Sequence, residues 1–280
     1  AAAAALRHMP KLRSLRFWLD GHDGRVRQFP PWFAELQLVE LYTGVAAGDV
    51  SWDTDDACLP RSLEYLDVVF HGESPSLTCI RRLPRLRELE TNDSVESCPT
   101  WLHEVKSLRR LDLYLVDSVD VLRRMSLEAI TSTSDLNWAD YEPVETEGYV
   151  DALERLVVGT PCGASLRELN ISGNLLSHVP DCFRGLQLQV LNISDCGVEA
   201  IPSWIAELPL VALDLAGNDS ISTLPASLQT LTSLRVSRSS ARRDHASAAR
   251  HSGRSGRQPR RRQRLRRGRR RRRRRGRRGG

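Results

Sequence analysis

The strongest constraint on the fold is a motif that recurs at a fixed interval. The segment LRELNISGNLLSHVP begins at Leu166, LQVLNISDCGVEAIP begins at Leu188, and LVALDLAGNDSISTLP begins at Leu210. Successive starts are 22 residues apart. A period in this range is typical of a solenoid, in which each repeat buries its apolar face only against its neighbours. We therefore predict a stack of similar units.

The first half of each unit follows the template L-x-x-L-x-L-x-x-N. Alternation along a short strand turns the second and third apolar residues inward and the residues between them towards solvent. The asparagine that follows can satisfy backbone groups in the turn that leaves the strand. Asn174 and Asn218 hold this position, and we interpret Cys196 as a small buried substitute in the middle unit.

The second half of each unit is an apolar residue and a proline, followed by apolar residues three and six positions after that proline. This pattern occurs as FPPWFAEL (29–36), CPTWLHEV (98–105), VPDCFRGL (179–186), IPSWIAEL (201–208) and LPASLQTL (224–231). Proline suits the start of a helical turn, because its missing N–H would have no partner there. The two apolar residues are then expected to point towards the core.

Together the two halves resemble the leucine-rich repeat family over most of residues 6–234. Templates begin at Leu12, Leu38, Leu63, Leu86, Leu108, Leu166, Leu188 and Leu210. The resemblance implies an α/β solenoid, or horseshoe, with a parallel sheet on its concave side and a role in protein–protein interaction or signalling. The segment IPSWIAELPLVALDLAGN is similar to intracellular repeats of plant and algal disease-resistance-type and Ras-associated proteins.

Residues 114–165 depart from the template for about two repeat lengths. We predict a degenerate strand in LEAITSTS, which begins at Leu127, and a helix on the outer side in YVDALERLV (149–157). Residues 135–148 are interpreted as an acidic loop or insertion.

Charge divides the chain into two predicted domains, the solenoid at 1–234 and an arginine-rich tail at 235–280. The tail holds 22 of the 41 basic residues and one of the 35 acidic residues, so it carries +21 and the solenoid −15. With so few apolar residues the tail is predicted to be disordered. It could bind nucleic acid or act as a nuclear localisation signal. An unusual cap, or a frameshift in a GC-rich gene, would also explain the abrupt loss of the repeat.

Catalytic chemistry is not predicted. The sequence lacks the P-loop, dinucleotide-binding, HExxH and GxSxG motifs. Ser172 and His178 are separated by the repeat geometry and are interpreted as parts of one unit. The acidic cluster Asp53, Asp55 and Asp56 is interpreted as a solvated loop, with cation binding as the alternative. We predict no enzyme activity, no cofactor and no metal.

The compartment is predicted from weaker signals. Six scattered cysteines without a CxxC pair favour reduced thiols and hence the cytoplasm, or the nucleus if the tail is genuine. No apolar run has the roughly 18 residues that a membrane-spanning helix needs.

The concave sheet is the predicted binding surface, because its outward residues are acidic and aromatic over the first five strands. Tyrosine and tryptophan are enriched in recognition sites, and carboxylates steer basic partners. A solvated acidic face that serves solubility is the alternative. The predicted partner-binding residues are Trp18, Tyr42, Tyr65, Asp67, Glu88, Glu90, Asp112 and Tyr114.

Overall fold

A computed structural model describes residues 6–19, 30–45, 59–69, 78–92, 99–113, 118–133 and 146–237. Within them, ten short parallel strands form one sheet in which spatial order follows chain order. The strands are β1 (Ser14–Leu19), β2 (Glu40–Val45), β3 (Tyr65–Val69), β4 (Glu88–Asn92), β5 (Arg110–Asp112), β6 (Ala129–Thr131), β7 (Glu168–Asn170), β8 (Val190–Asn192), β9 (Ala212–Asp214) and β10 (Arg235–Ser237).

Every predicted template produces a strand that begins two residues after its first leucine. The degenerate unit at Leu127 is also confirmed, since β6 pairs with β5 on one side and β7 on the other. The last strand keeps the register of its neighbours, since Val236 of β10 pairs with Leu213 of β9. This register turns the apolar Val236 to the same side as Leu213, where it is 38% exposed at the end of the stack.

The core lies directly behind the sheet, where the inward side chains of successive strands stack. In β2–β9 the central inward residues are each at most 3% exposed: Leu41, Leu66, Leu89, Leu111, Ile130, Leu169, Leu191 and Leu213. Burying one such side chain stabilises the fold by roughly 1.5–3 kcal/mol. Because every unit repeats this contribution, the stack is held by contacts between neighbouring units.

Short 3₁₀ helices form the opposite side of the core. They span Pro31–Glu35, Thr78–Arg82, Thr100–Glu104, Asp181–Phe183, Ser203–Glu207 and Ala226–Thr230. Five of them follow the proline motif, and the residue three positions after the capping proline is buried in each: Phe33, Leu102, Phe183, Ile205 and Leu228. The predicted role of the proline motif is confirmed.

The described part of the irregular region contains three α-helices: α1 (Val119–Leu122), α2 (Thr146–Val157) and α3 (Pro161–Ser165). The predicted helix is confirmed as α2, which buries Tyr149, Leu153 and Leu156 along one face. The helix α3 begins at the N-cap Thr160, whose Oγ1 accepts the N–H of Gly163 at 3.0 Å.

The asparagine position closes the turn after a strand by bonding to the preceding unit. Asn218 donates its Nδ2 to the carbonyl of Ile193 at 2.8 Å. Its Oδ1 accepts the N–H groups of Cys196 and Val198 at 3.1 and 2.9 Å. One buried amide thereby satisfies backbone groups that would otherwise have no partner.

Cys196 takes the same position in the middle unit, as predicted. Its side chain is fully buried, and its Sγ donates to the carbonyl of Ile171 in the preceding unit at 3.3 Å. Burial raises the pKa of this thiol to about 12. The thiol therefore stays neutral and takes over part of the asparagine's role.

Several sequence predictions concern residues outside the described ranges. These are the cluster Asp53, Asp55 and Asp56, most of the segment 135–148, and the arginine-rich segment from 238 onwards. No helix in the described ranges is long and apolar enough to cross a membrane.

Candidate binding surface on the sheet

The outward side chains of β1–β5 form one surface, which we call the sheet face. They are Arg16, Glu40, Tyr42, Tyr65, Asp67, Glu88, Glu90, Arg110 and Asp112. They alternate with the inward leucines, so the pleat turns them away from the core. Of the eight predicted binding residues, the structure places six on this face. The side chains of Trp18 and Tyr114 lie outside the described residues.

Parallel register arranges these side chains in two rows across the strands. The upper row is Glu40, Tyr65, Glu88 and Arg110, and the lower row is Arg16, Tyr42, Asp67, Glu90 and Asp112. Neighbouring strands are about 4.8 Å apart, so successive members of a row are within side-chain reach.

The aromatic part of the face is a stacked group on β1–β3. The rings of Tyr42 and Tyr65 have centroids 4.8 Å apart at an interplanar angle of 41°. The Arg16 guanidinium carbon lies 4.3 Å from the Tyr42 ring centroid. Burial, together with a hydrogen bond to the Glu90 carboxylate, raises the pKa of the Tyr65 hydroxyl. Tyr65 therefore stays neutral and links the aromatic group to the acidic part.

The acidic part is the run Asp67, Glu90 and Asp112 on three consecutive strands. Asp67 is only 8% exposed, although it is a carboxylate on the solvent side of the sheet. Like charges directly opposite one another on neighbouring strands destabilise a sheet by up to about 1 kcal/mol. We expect such a run to lower stability, and local costs of this kind are typical of functional sites.

Glu88 shows the electrostatic effect of this crowding. Its pKa is raised, first by burial and then by the neighbouring charges of Glu90 and Glu168, although Arg110 acts in the opposite direction. The folded state therefore binds a proton at Glu88 more readily than the unfolded state. Stability from this group is present below the ordinary glutamate value of 4.5 and is lost as the pH rises through the raised value.

Replacing Glu88 by glutamine is expected to stabilise the protein at neutral pH, because the neutral amide avoids the burial cost of the charge. As the pH falls towards 4.5, wild-type Glu88 becomes protonated and the advantage of the variant shrinks. Urea unfolding of both proteins at pH 7 and pH 4.5 measures this difference. An equal difference at both pH values would contradict the assignment.

At β6 the sheet face carries the small residue Ala129, and side chains from the strands on either side meet across it. The guanidinium of Arg110 on β5 binds the Glu168 carboxylate on β7 through two hydrogen bonds of 2.8 and 2.7 Å. The bridge covers Ala129, which is buried. A depression of about 240 Å³ lies around it. Arg110 is thus engaged with Glu168, away from the acidic run.

Beyond β6 the outward polar side chains form hydrogen bonds to the backbone of the turn that follows their own strand. Asn170, Asn192 and Asp214 each accept, through Oδ1, the backbone N–H two residues further on, at 3.0–3.2 Å. His178 contacts the neighbouring Ser177 at 3.2 Å. We interpret this half of the sheet as scaffold.

Known proteins share this architecture. The Leucine Rich Repeat family model matches residues 165–186, the unit that contains β7. A solved structure of a leucine-rich repeat protein from Leptospira interrogans superposes with a TM-score of 0.53 at 19% identity and covers 85% of this chain. This chain has the leucine-rich repeat fold. It spans 57% of the length of the Leptospira chain. No curated protein matches the sequence.

The comparisons support the leucine-rich repeat fold and not a particular branch of the family. Similarity to disease-resistance-type or Ras-associated repeats stays a prediction. At 19% identity the Leptospira structure is similar in fold alone.

The leucine-rich repeat sheet also has a mixed-charge groove of about 760 Å³ where the strands begin, which the sequence analysis missed. Its lining includes Glu64, Arg87, Arg109 and Glu128, each the residue directly after a template leucine. Reading that template position down the units would have found it. The Arg109 Nε lies 3.7 Å from the Glu128 Oε1, so these two charges in the groove partly neutralise each other.

A metal site and a reactive cysteine pair both need side chains that the fold brings together. No group of three or more histidine, cysteine, aspartate or glutamate side chains there is placed to hold a metal ion. Of the described cysteines, Cys162, Cys182 and Cys196 are free thiols.

Proposed function

We propose that this leucine-rich repeat protein is a non-catalytic binding module that holds a basic segment of a protein partner on the sheet face. The observation that carries the proposal is the in-register row of Tyr42, Asp67, Glu90 and Asp112 across β2–β5, with Tyr65 of the adjacent row against the Tyr42 ring. Repeat solenoids generally offer extended surfaces to protein partners. Here the surface combines aromatic anchors with carboxylates.

Charge on the face favours a basic partner. Among the described outward side chains of β1–β5, five are carboxylates and two are arginines. Both arginines are engaged, Arg16 on the Tyr42 ring and Arg110 with Glu168. The carboxylates therefore set the field that an approaching partner meets, and such a field raises the rate of association with a cation.

A displayed library of random twelve-residue peptides tests the chemistry of the partner without knowing its identity. Selection against the wild-type protein, with counter-selection against a variant that lacks the acidic run, should enrich peptides rich in arginine and lysine. Enrichment of peptides with no basic bias, or of peptides that bind both proteins equally, would contradict the proposal.

Neutralising the run by Asp67→Asn, Glu90→Gln and Asp112→Asn together is expected to weaken binding of a selected peptide roughly 10- to 100-fold. The same variant should unfold at higher denaturant concentration, because repulsion between neighbouring strands is relieved. If affinity falls while stability rises, the loss of binding is due to the removed carboxylates and not to a damaged fold. Anisotropy of the labelled peptide and urea unfolding measure the two quantities.

Asp214→Asn is the matched control, since Asp214 lies in the same row on β9. It removes one negative charge and keeps the oxygen that accepts the Ala216 N–H at 3.0 Å. It should change the affinity much less than Asp112→Asn alone. Equal losses at the two positions would mean that total charge, and not the sheet face, controls binding.

The alternative function is association with nucleic acid through the arginine-rich tail. It depends on composition alone, because residues after 237 lie outside the described ranges. The acidic run would repel a polyanion, so such binding would need the tail and not the sheet face.

A further inference from the structure

We propose that the exposed ring face of Tyr42 is a binding site for an arginine side chain of the partner, and that Arg16 occupies this site until the partner displaces it. The inference rests on the proposed function and names the group that the sheet face recognises. It makes Arg16 an internal competitor of the ligand.

The geometry leaves Tyr42 one ring face for a cation. Tyr65 stacks on Tyr42 from the β3 side, with centroids 4.8 Å apart. Arg16 lies on Tyr42 from the β1 side, with its guanidinium carbon 4.3 Å from the ring centroid. The ring is therefore held between a tyrosine that is half buried and an arginine that is exposed.

Arg16 is held at this place by one side chain, Tyr42: its guanidinium lies over the ring and also hydrogen-bonds the hydroxyl. Arg16 itself is exposed, so a partner can reach and displace it. Within the described residues its guanidinium forms no ion pair with a carboxylate, in contrast to Arg110 with its bidentate partner. A cation over a tyrosine ring at an exposed site contributes little, because water competes for the charge. A partner group that makes the same stacking contact and one more contact would replace it.

Glu40 can supply that further contact. It lies two residues before Tyr42 on the same face of β2, and its charge is close enough to raise the pKa of the Tyr42 hydroxyl, after burial as the larger cause. A guanidinium arriving from solvent is free to stack on the ring and direct N–H groups to this carboxylate. A guanidinium is planar and carries five donors, so it suits both contacts better than an ammonium group.

Removing the competitor should strengthen binding. Arg16→Ala is expected to tighten the complex with an arginine peptide about two- to fivefold, which corresponds to the loss of one exposed cation–ring contact. If Arg16 instead contacted the partner or only supported β1, its removal would weaken binding or leave it unchanged. The sign of the effect therefore decides the role of Arg16.

Arg13→Ala is the matched control for the loss of one positive charge. Arg13 lies immediately before β1, and its guanidinium donates to the backbone carbonyl of Gln37 at 2.8 Å, whereas that of Arg16 lies over the Tyr42 ring. A gain in affinity caused only by the more negative field would be equal in the two variants. Tyr42→Leu keeps an apolar side chain and removes the ring.

The probes are fluorescein-labelled peptides GRGRGRG and GKGKGKG, titrated with each protein at low ionic strength and followed by anisotropy. Arg16→Ala should tighten the arginine peptide more than Arg13→Ala does. Tyr42→Leu should remove the preference for arginine over lysine. Binding that Arg16→Ala weakens, leaves unchanged or alters only as much as Arg13→Ala overturns the inference alone. No binding of either peptide to any of the proteins overturns the proposed function and the inference with it.

Discussion

Replacing Asn218 by alanine lowers the free energy of unfolding by about 3–5 kcal/mol, because several buried backbone groups lose their partner at once. The amide accepts the N–H groups of Cys196 and Val198 and donates to the carbonyl of Ile193. These bonds join two neighbouring units at a site that is 6% exposed. Urea unfolding followed by circular dichroism measures the loss.

Asn192→Ala is the control for this prediction. Asn192 is only half buried, and its Oδ1 accepts a single N–H, that of Ser194 at 3.0 Å. We expect a loss of about 1 kcal/mol or less from this one bond. Similar losses for the two variants would contradict the view that Asn218 joins the units.

Gly163→Ala is expected to destabilise the protein by about 3 kcal/mol, since the added carbon overlaps backbone and not a movable side chain. A Cβ at Gly163 would lie 2.0 Å from the carbonyl oxygen of Val157 at the end of α2. To make room, α3 would have to move away from α2, which would disturb the Thr160 cap.

Gly148→Ala, in the preceding helix α2, should instead raise the stability of the protein. Gly148 lies within α2, and a Cβ there meets no atom within 4 Å. Alanine in place of glycine inside a helix stabilises it by roughly 0.5–1 kcal/mol. Thermal unfolding measures both changes: we expect a lower melting temperature than the wild type for Gly163→Ala and a higher one for Gly148→Ala. A stable Gly163→Ala protein would show that α2 and α3 do not pack as described.

The regular part of the fold could be predicted because strand alternation has a period of two. Once Leu169 and Ile171 are assigned to the core, Glu168 and Asn170 must face outward, and the same argument holds for every unit. The register of the last strand could not be predicted in this way, because the template is lost after Leu234. That register is set by the pairing of Val236 with Leu213, which is a tertiary property.

The sheet face was predictable as a set of residues but not as a set of contacts. The bridge between Arg110 and Glu168 joins residues 58 positions apart, across a region whose template had been lost. The stacking of Arg16 on Tyr42 depends on rotamers, which a repeat template does not specify. Both contacts arise only when side chains from different strands meet.

The central claim is that a basic partner lies on the sheet face of β2–β5, and photo-crosslinking tests it most directly. A basic peptide from the library selection, with a benzophenone side chain at one position, would be irradiated with the wild-type protein, and the crosslinked residues would be identified by mass spectrometry. We predict crosslinks within Glu40–Val45, Tyr65–Val69, Glu88–Asn92 and Arg110–Asp112. Crosslinks confined to the 3₁₀ helices on the opposite side, or to β8–β10, would contradict the account.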